Sequence, residues 1–230
     1  GNVLRLFVYW KESGQETDLD LSLLQFGSDL NYLGQVSWTQ LTGTGIVHSG
    51  DLQSAPQGAA EFIDIDLSVL REQFKRCRYI APQIHRYRGD AFAKLTCHAG
   101  WMIRNQVDRE YKSFDIKTVA NKFDLNGRSS YAIPILIDLW DAQITYVDLY
   151  VDSPKPNSTA EGALRDISLI TGEMARMLKT RPNIYDLACR HTQARGAQSV
   201  ADKAEATITF GLADTSYSIE RMEQVLSDLL

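Results

Sequence analysis

Asp18 and Asp20 are the residues whose type and spacing most directly suggest chemistry. They lie in Thr17-Asp18-Leu19-Asp20-Leu21-Ser22-Leu23, which alternates polar and apolar with period two. On a strand this puts Asp18, Asp20 and Ser22 on one face and Leu19, Leu21 and Leu23 on the other. The strand rise separates the two carboxylates by roughly 6.5–7 Å along the chain. They repel unless something positive lies between them. A bound cation is one answer, and a solvated strand face is the other. Past Leu23 the alternation slips, because Leu24 and Phe26 are apolar on the opposite parity. That predicts a β-bulge or a strand end.

Other chemistries find little support. His85, His98 and His191 are far apart, with no His-x-x-x-His or Cys-x-x-Cys spacing, which argues against a zinc site. Cys97 reads as a small core residue. There is no Gly-x-Ser-x-Gly elbow and no glycine-rich phosphate loop. Arg71, Lys75, Arg76, Arg78, Arg86 and Arg88 with His85 make a local basic cluster. It reads either as a surface for an anionic partner or lipid, or as a solvated helix face and strand edge.

The bounds are those of an ordinary globular protein. The chain has 230 residues, 44% hydrophobic and 23% charged, and a net charge of −5. That balance gives no global reason to expect nucleic acid. Three cysteines, Cys77, Cys97 and Cys189, without a paired motif read as reduced thiols in a cytoplasmic compartment. No window approaches the roughly 20 apolar residues of a membrane helix, so no membrane span is expected. The chain opens on Gly1 and reaches a strand-like run by Val3. It reads as a piece of a longer protein, with Gly1 left by a tag.

The elements that must position these residues are mostly strands. Val3–Trp10, Asp18–Phe26, Tyr32–Leu41, Glu61–Leu67, Tyr79–Tyr87, Ala93–Ile103, Asp115–Leu125 after a short helical turn, Tyr131–Trp140 and Ile144–Val151 all carry strand patterns. The last two form a hairpin around Asp141-Ala142-Gln143. In Glu61–Leu67, Ile63, Ile65 and Leu67 point inward. One short helix follows, with Ser68 as its N-cap. This density of short strands predicts a mainly β protein, an antiparallel two-sheet β-sandwich. Composition changes at residues 153–159, where Pro154 and Pro156 among small polar residues mark a linker. Residues 160–230 read as a small, mainly α-helical C-terminal region: a first amphipathic helix through Leu164–Leu178, a second at Ile184–Arg195 with Gly196 as C-cap, and a third at Ile219–Leu230. A lone strand falls at Ala206–Phe210.

The order of motifs over about residues 3–151 resembles the TerD family of tellurite-resistance and stress proteins. The matching pieces are Asp18-Leu19-Asp20-Leu21-Ser22, Ile46-Val47-His48-Ser49-Gly50-Asp51, and Glu61 leading into Ile63-Asp64-Ile65-Asp66-Leu67. Trp101-Met102-Ile103-Arg104 and the closing strands with Asp138 and Asp148 complete the pattern. The resemblance implies a calcium-binding β-sandwich over residues 1–152, linked to a membrane-associated stress-response complex and without established catalysis. Carried over by position, Asp18, Asp20, Asp51 and Glu61 are the implied metal ligands, and Ca2+ the implied ion. Calcium wants six to eight oxygens, and the family loop departs here: Leu52 replaces an Asn, and Gln53–Ala60 has no acid. The implied site is therefore degenerate. His48, beside that loop, reads as an orienting group for a carboxylate or as an ordinary core histidine.

The expected function is a non-enzymatic TerD-like binding or scaffold module in a bacterial tellurite-resistance, stress-response or defence assembly. Its partners would be other protein subunits or domains of that assembly, with peripheral membrane association open. The alternatives are a metal-dependent hydrolase using the same acids, and a metal-free structural sandwich.

Overall fold

The computed structural model describes residues 2–105, 119–152, 169–173, 176–177, 184–196, 198, 200, 202–207, 209–211 and 217–218. The chain divides into two compact units, Gly1–Met177 and Leu178–Leu230. The first is the mainly β, two-sheet antiparallel sandwich that the strand patterns predict. Its strands are β1 (Val3–Lys11), β2 (Asp18–Phe26), β3 (Tyr32–Val36), β4 (Thr42–Gly43), β5 (Ile46–His48), β6 (Ala59–Asp66), β7 (Tyr79–Arg88), β8 (Thr96–Arg104), β9 (Asn121–Asp124), β10 (Tyr131–Asp138) and β11 (Gln143–Val151). A six-stranded sheet runs β4-β5-β6-β1-β8-β9, and a five-stranded sheet runs β11-β10-β7-β2-β3.

Alternation builds the core between the sheets. Leu4, Leu6, Val8 and Trp10 of β1 face Leu19, Leu21 and Leu23 of β2 within one buried cluster, joined by Ile63 and Ile65 of β6. The Trp10 indole is fully buried and donates to the Thr17 carbonyl at 2.9 Å, so its one polar atom has a partner.

Part of each outer face is buried too, in clusters around Phe26 and Phe62, which explains the slip after Leu23. Strand β2 runs unbroken to Phe26, although its pairing with β3 shifts between Gln25 and Phe26. Leu24 and Phe26 lie on the same outer face as Asp18, Asp20 and Ser22. There they pack into a second buried cluster with Tyr79, Ala81, Tyr131 and Ile133. One face of β2 thus changes from polar to apolar along its length. The helical residues 169–173 belong to this unit, with Thr171 buried and Arg176 donating to the Asp29 carbonyl at 2.7 Å. The linker at 153–159 lies outside the described residues.

Several local expectations are corrected. The third strand stops at Val36 rather than Leu41, and Ser37 and Gln40 make only an isolated bridge. Helix α1 (Leu67–Gln73) is capped by Asp66, not Ser68: Asp66 Oδ1 accepts from the Ser68 and Val69 amides, both at 3.1 Å. The basic cluster is spread over several segments: Arg71 on α1, Lys75, Arg76 and Arg78 between α1 and β7, and His85, Arg86 and Arg88 on β7. Arg78 pairs with Asp138 and Asp141, and Arg88 pairs with Glu16.

The second unit contains α2 (Ile184–Ala194) and a two-residue parallel pair, β12 (Phe210–Gly211) and β13 (Tyr217–Ser218). Gly196 follows α2 with φ +75 and donates to the Gln193 carbonyl, the left-handed stop expected there. The third helix expected at Ile219–Leu230 lies outside the described residues. No helix among the described residues is long and apolar enough to cross a membrane.

Candidate metal centre

The site forms where the five-stranded sheet runs out of strands. β3 pairs only with Leu23–Phe26, so the first half of β2 has no neighbour on that side. Side chains from the opposite sheet fill the gap. Glu61 Oε2 accepts from the Leu21 amide at 2.8 Å, and His48 Nε2 lies 2.8 Å from the Leu21 carbonyl. Both polar groups of one backbone residue are thereby satisfied by side chains.

The same two side chains fix the loop after β5. His48 Nδ1 accepts from the Gly50 amide, and Glu61 Oε1 accepts from the Leu52 amide, both at 2.9 Å. Asp51 stands between these two pinned amides. Gly50 has φ +105, a left-handed backbone that favours glycine. Ser49 adds a reciprocal pair with Phe62, its amide donating to the Phe62 carbonyl and its hydroxyl accepting from the Phe62 amide. Further along, Glu12 Oε1 accepts from the Ala55 amide at 2.6 Å.

These bonds also set protonation. An Nδ1 that accepts and an Nε2 facing a carbonyl define a neutral, Nε2-protonated His48. Burial pushes its pKa down, consistent with that form. Burial pushes Glu61 up to about 9, against the two backbone bonds that favour its ionised form.

Asp51 meets Asp18 and Asp20 across this corner. Each of the three offers a carboxylate oxygen, and these oxygens all lie within 4.8 Å of one another. Asp18 and Asp20 are buried, at 5% and 6% exposure, and Asp51 is exposed. The solvated strand face is therefore not what forms. Asp18 Oδ1 is buried and has no hydrogen-bond partner. Burial first, then the Asp20 and Asp51 charges, raise the Asp18 pKa to about 6, while Arg88 and His85 pull it the other way.

The donor set fits a hard divalent cation. Oxygen ligands at about 2.4 Å from one ion can be at most about 4.8 Å apart, and all three donors here are carboxylates. The triad is short of the six to eight ligands calcium prefers. Of the four acids singled out in the sequence, the structure gathers Asp18, Asp20 and Asp51. Glu61 lies outside that triad, with both oxygens already accepting backbone amides.

Two neighbours were not legible as site residues. His85 is directly opposite Asp20 in the β2–β7 register, its Nδ1 3.4 Å from Asp20 Oδ2 but not placed for a hydrogen bond. Its ring stacks on Tyr131, with centroids 4.3 Å apart. Gln83, opposite Ser22, is 1% exposed, and neither atom of its amide has a partner. No protein-family model and no curated protein matches this chain.

Proposed function

We propose that this chain is a non-enzymatic, TerD-like binding or scaffold module of a bacterial tellurite-resistance, stress-response or defence assembly, with a degenerate calcium site at Asp18, Asp20 and Asp51. The observation that carries the cation is the convergence of three carboxylates with one buried oxygen left unpartnered. Like charges held this close in a buried corner are costly unless a cation joins them. The resemblance over residues 3–151 supplies the module class and the choice of calcium. The two-sheet sandwich supports it by having the implied architecture.

The His48 bonding supports a binding module over a hydrolase. Both of its nitrogens are committed to backbone groups, Leu21 and Gly50, so it is not placed to serve as a general base. Its partners and Glu61 hold Asp51 in place through the backbone, without relying on the metal.

The test is a calorimetric calcium titration of the chelator-stripped protein with parallel thermal melts. Heat of binding and a Tm rise that Asp18→Asn removes is the expected result. No heat and no shift at millimolar calcium would sink the calcium site and leave a metal-free scaffold.

A further inference from the structure

The triad leaves a divalent ion short of ligands, and the same sheet face holds buried acceptors short of donors. Mg2+ and Ca2+ take six or more oxygens, so three aspartates binding through one oxygen each leave at least three positions, which water can fill. Each water ligand brings protons that need acceptors. Asp20 is opposite His85, and Ser22 is opposite Gln83. Gln83 is thus diagonal to Asp20, a spacing that long side chains can span.

Both acceptors are buried and unsatisfied. Gln83 Oε1 and Nε2 lack partners in a side chain that is 1% exposed, and His85 Nδ1 lacks one as well. Native interiors rarely leave such groups unpaired, because each bears its full desolvation penalty. The stack on Tyr131 holds the His85 ring in its orientation.

We propose that Gln83 and His85 form the outer shell of this site: Gln83 Oε1 and, with the cation bound and His85 in its neutral Nε2-protonated form, His85 Nδ1 accept hydrogen bonds from the water ligands of a divalent cation held by Asp18, Asp20 and Asp51. The inference rests on the cation reading above and deepens it, since it specifies an ion that keeps part of its water. Mg2+, which gives up water reluctantly, fits such a site as well as Ca2+ does. The shell accounts together for the ligand shortage, the orphan amide oxygen of Gln83 and the unpartnered imidazole nitrogen.

The experiment titrates the chelator-stripped chain with MgCl2 and CaCl2 by calorimetry, for wild type, Gln83→Leu and His85→Phe. Phe keeps a ring to stack on Tyr131 and removes the nitrogen. The expected result is that each variant weakens ion binding by about 10-fold, the low end of what loss of an outer-shell partner does to a metal site. In excess chelator, Gln83→Leu melts about 2 °C or more above wild type, because an orphan buried amide has been removed. A merely structural Gln83 would give a lower Tm instead. Wild-type binding with unchanged affinity in both variants overturns the inference and leaves the triad standing. No ion binding by wild type overturns both. If Gln83→Leu does not fold, the role given to Gln83 is wrong, and His85→Phe still decides for the imidazole.

Discussion

Each sheet buries charge on its outer face, and the two do so differently. On the six-stranded sheet, Arg5 and Asp64 are direct neighbours across β1 and β6. They meet at 2.6 and 2.8 Å, and the Arg5 guanidinium lies 3.7 Å over the Phe62 ring. On the five-stranded sheet, Asp18 and Asp20 are buried beside a third acid, and one of their oxygens has no partner. The first face contains its own countercharge. The second leaves Asp18 Oδ1 without a hydrogen-bond partner, with His85 and Arg88 nearby as partial countercharge. A buried charge is therefore not by itself a functional signal, whereas a buried charge without compensation is.

Mutation can break this contrast. Asp64→Ala leaves Arg5 buried without its carboxylate and should cost about 3–5 kcal/mol of stability, read by urea denaturation. Asp18→Asn, measured in chelator, should cost nothing or stabilise, since it removes one of three converging charges. Equal losses in the two variants would erase the distinction between the faces. Between them lies Glu61→Gln. A carboxamide can present only one acceptor, so its NH2 must face either the Leu21 or the Leu52 amide. The expected loss is about 1–3 kcal/mol, with the Gly50–Leu52 loop exchanging amide protons faster than in wild type. Unchanged exchange at Leu52 would show that Glu61 does not hold the loop.

pH tests the same contrast, and the sign of its effects follows from the shifts. The Asp18 pKa of about 6 lies above its ordinary value of 3.8. The folded state therefore retains a proton that the unfolded chain has lost. Its contribution to metal-free stability is present below pH about 4 and lost as pH rises to about 6. Glu61, raised to about 9 from 4.5, extends the same downward slope toward pH 9. Ion affinity runs the other way through Asp18: it should rise about tenfold per pH unit up to about 6 and then level off. Melts in chelator from pH 4 to 9 and calcium titrations at pH 5, 6 and 7 check both arms. A flat affinity profile would show that Asp18 does not compete for a proton with the ion.

Much of the architecture is legible in the sequence because strands buried on one face must alternate. The inward Leu19–Leu23 and Ile63–Ile65 sets follow from that period alone, and the hairpin at Asp141–Gln143 from a turn between two strand-like runs. Glu61 could also have been read further: it shares the parity of Ile63 and Ile65 and so must point between the sheets, where the structure has it accepting two amides. Leu24 and Phe26 signalled an irregularity that is there, since the pairing of β2 with β3 shifts between Gln25 and Phe26, but the apolar pair itself lies on an outer face that is covered. His85 and Gln83 were beyond reach. Their relation to Asp20 and Ser22 depends on the β2–β7 register, set by long-range packing rather than by any local pattern.

The plug that His48 and Glu61 place on Leu21 has a consequence for assembly. An unpaired strand edge is a template on which a foreign strand can add, by design in peptide recognition and by accident in aggregation. At Leu21 both backbone positions that such a strand would need are already taken by side chains. Strand addition is therefore blocked at Leu21, in the half of β2 that β3 does not cover.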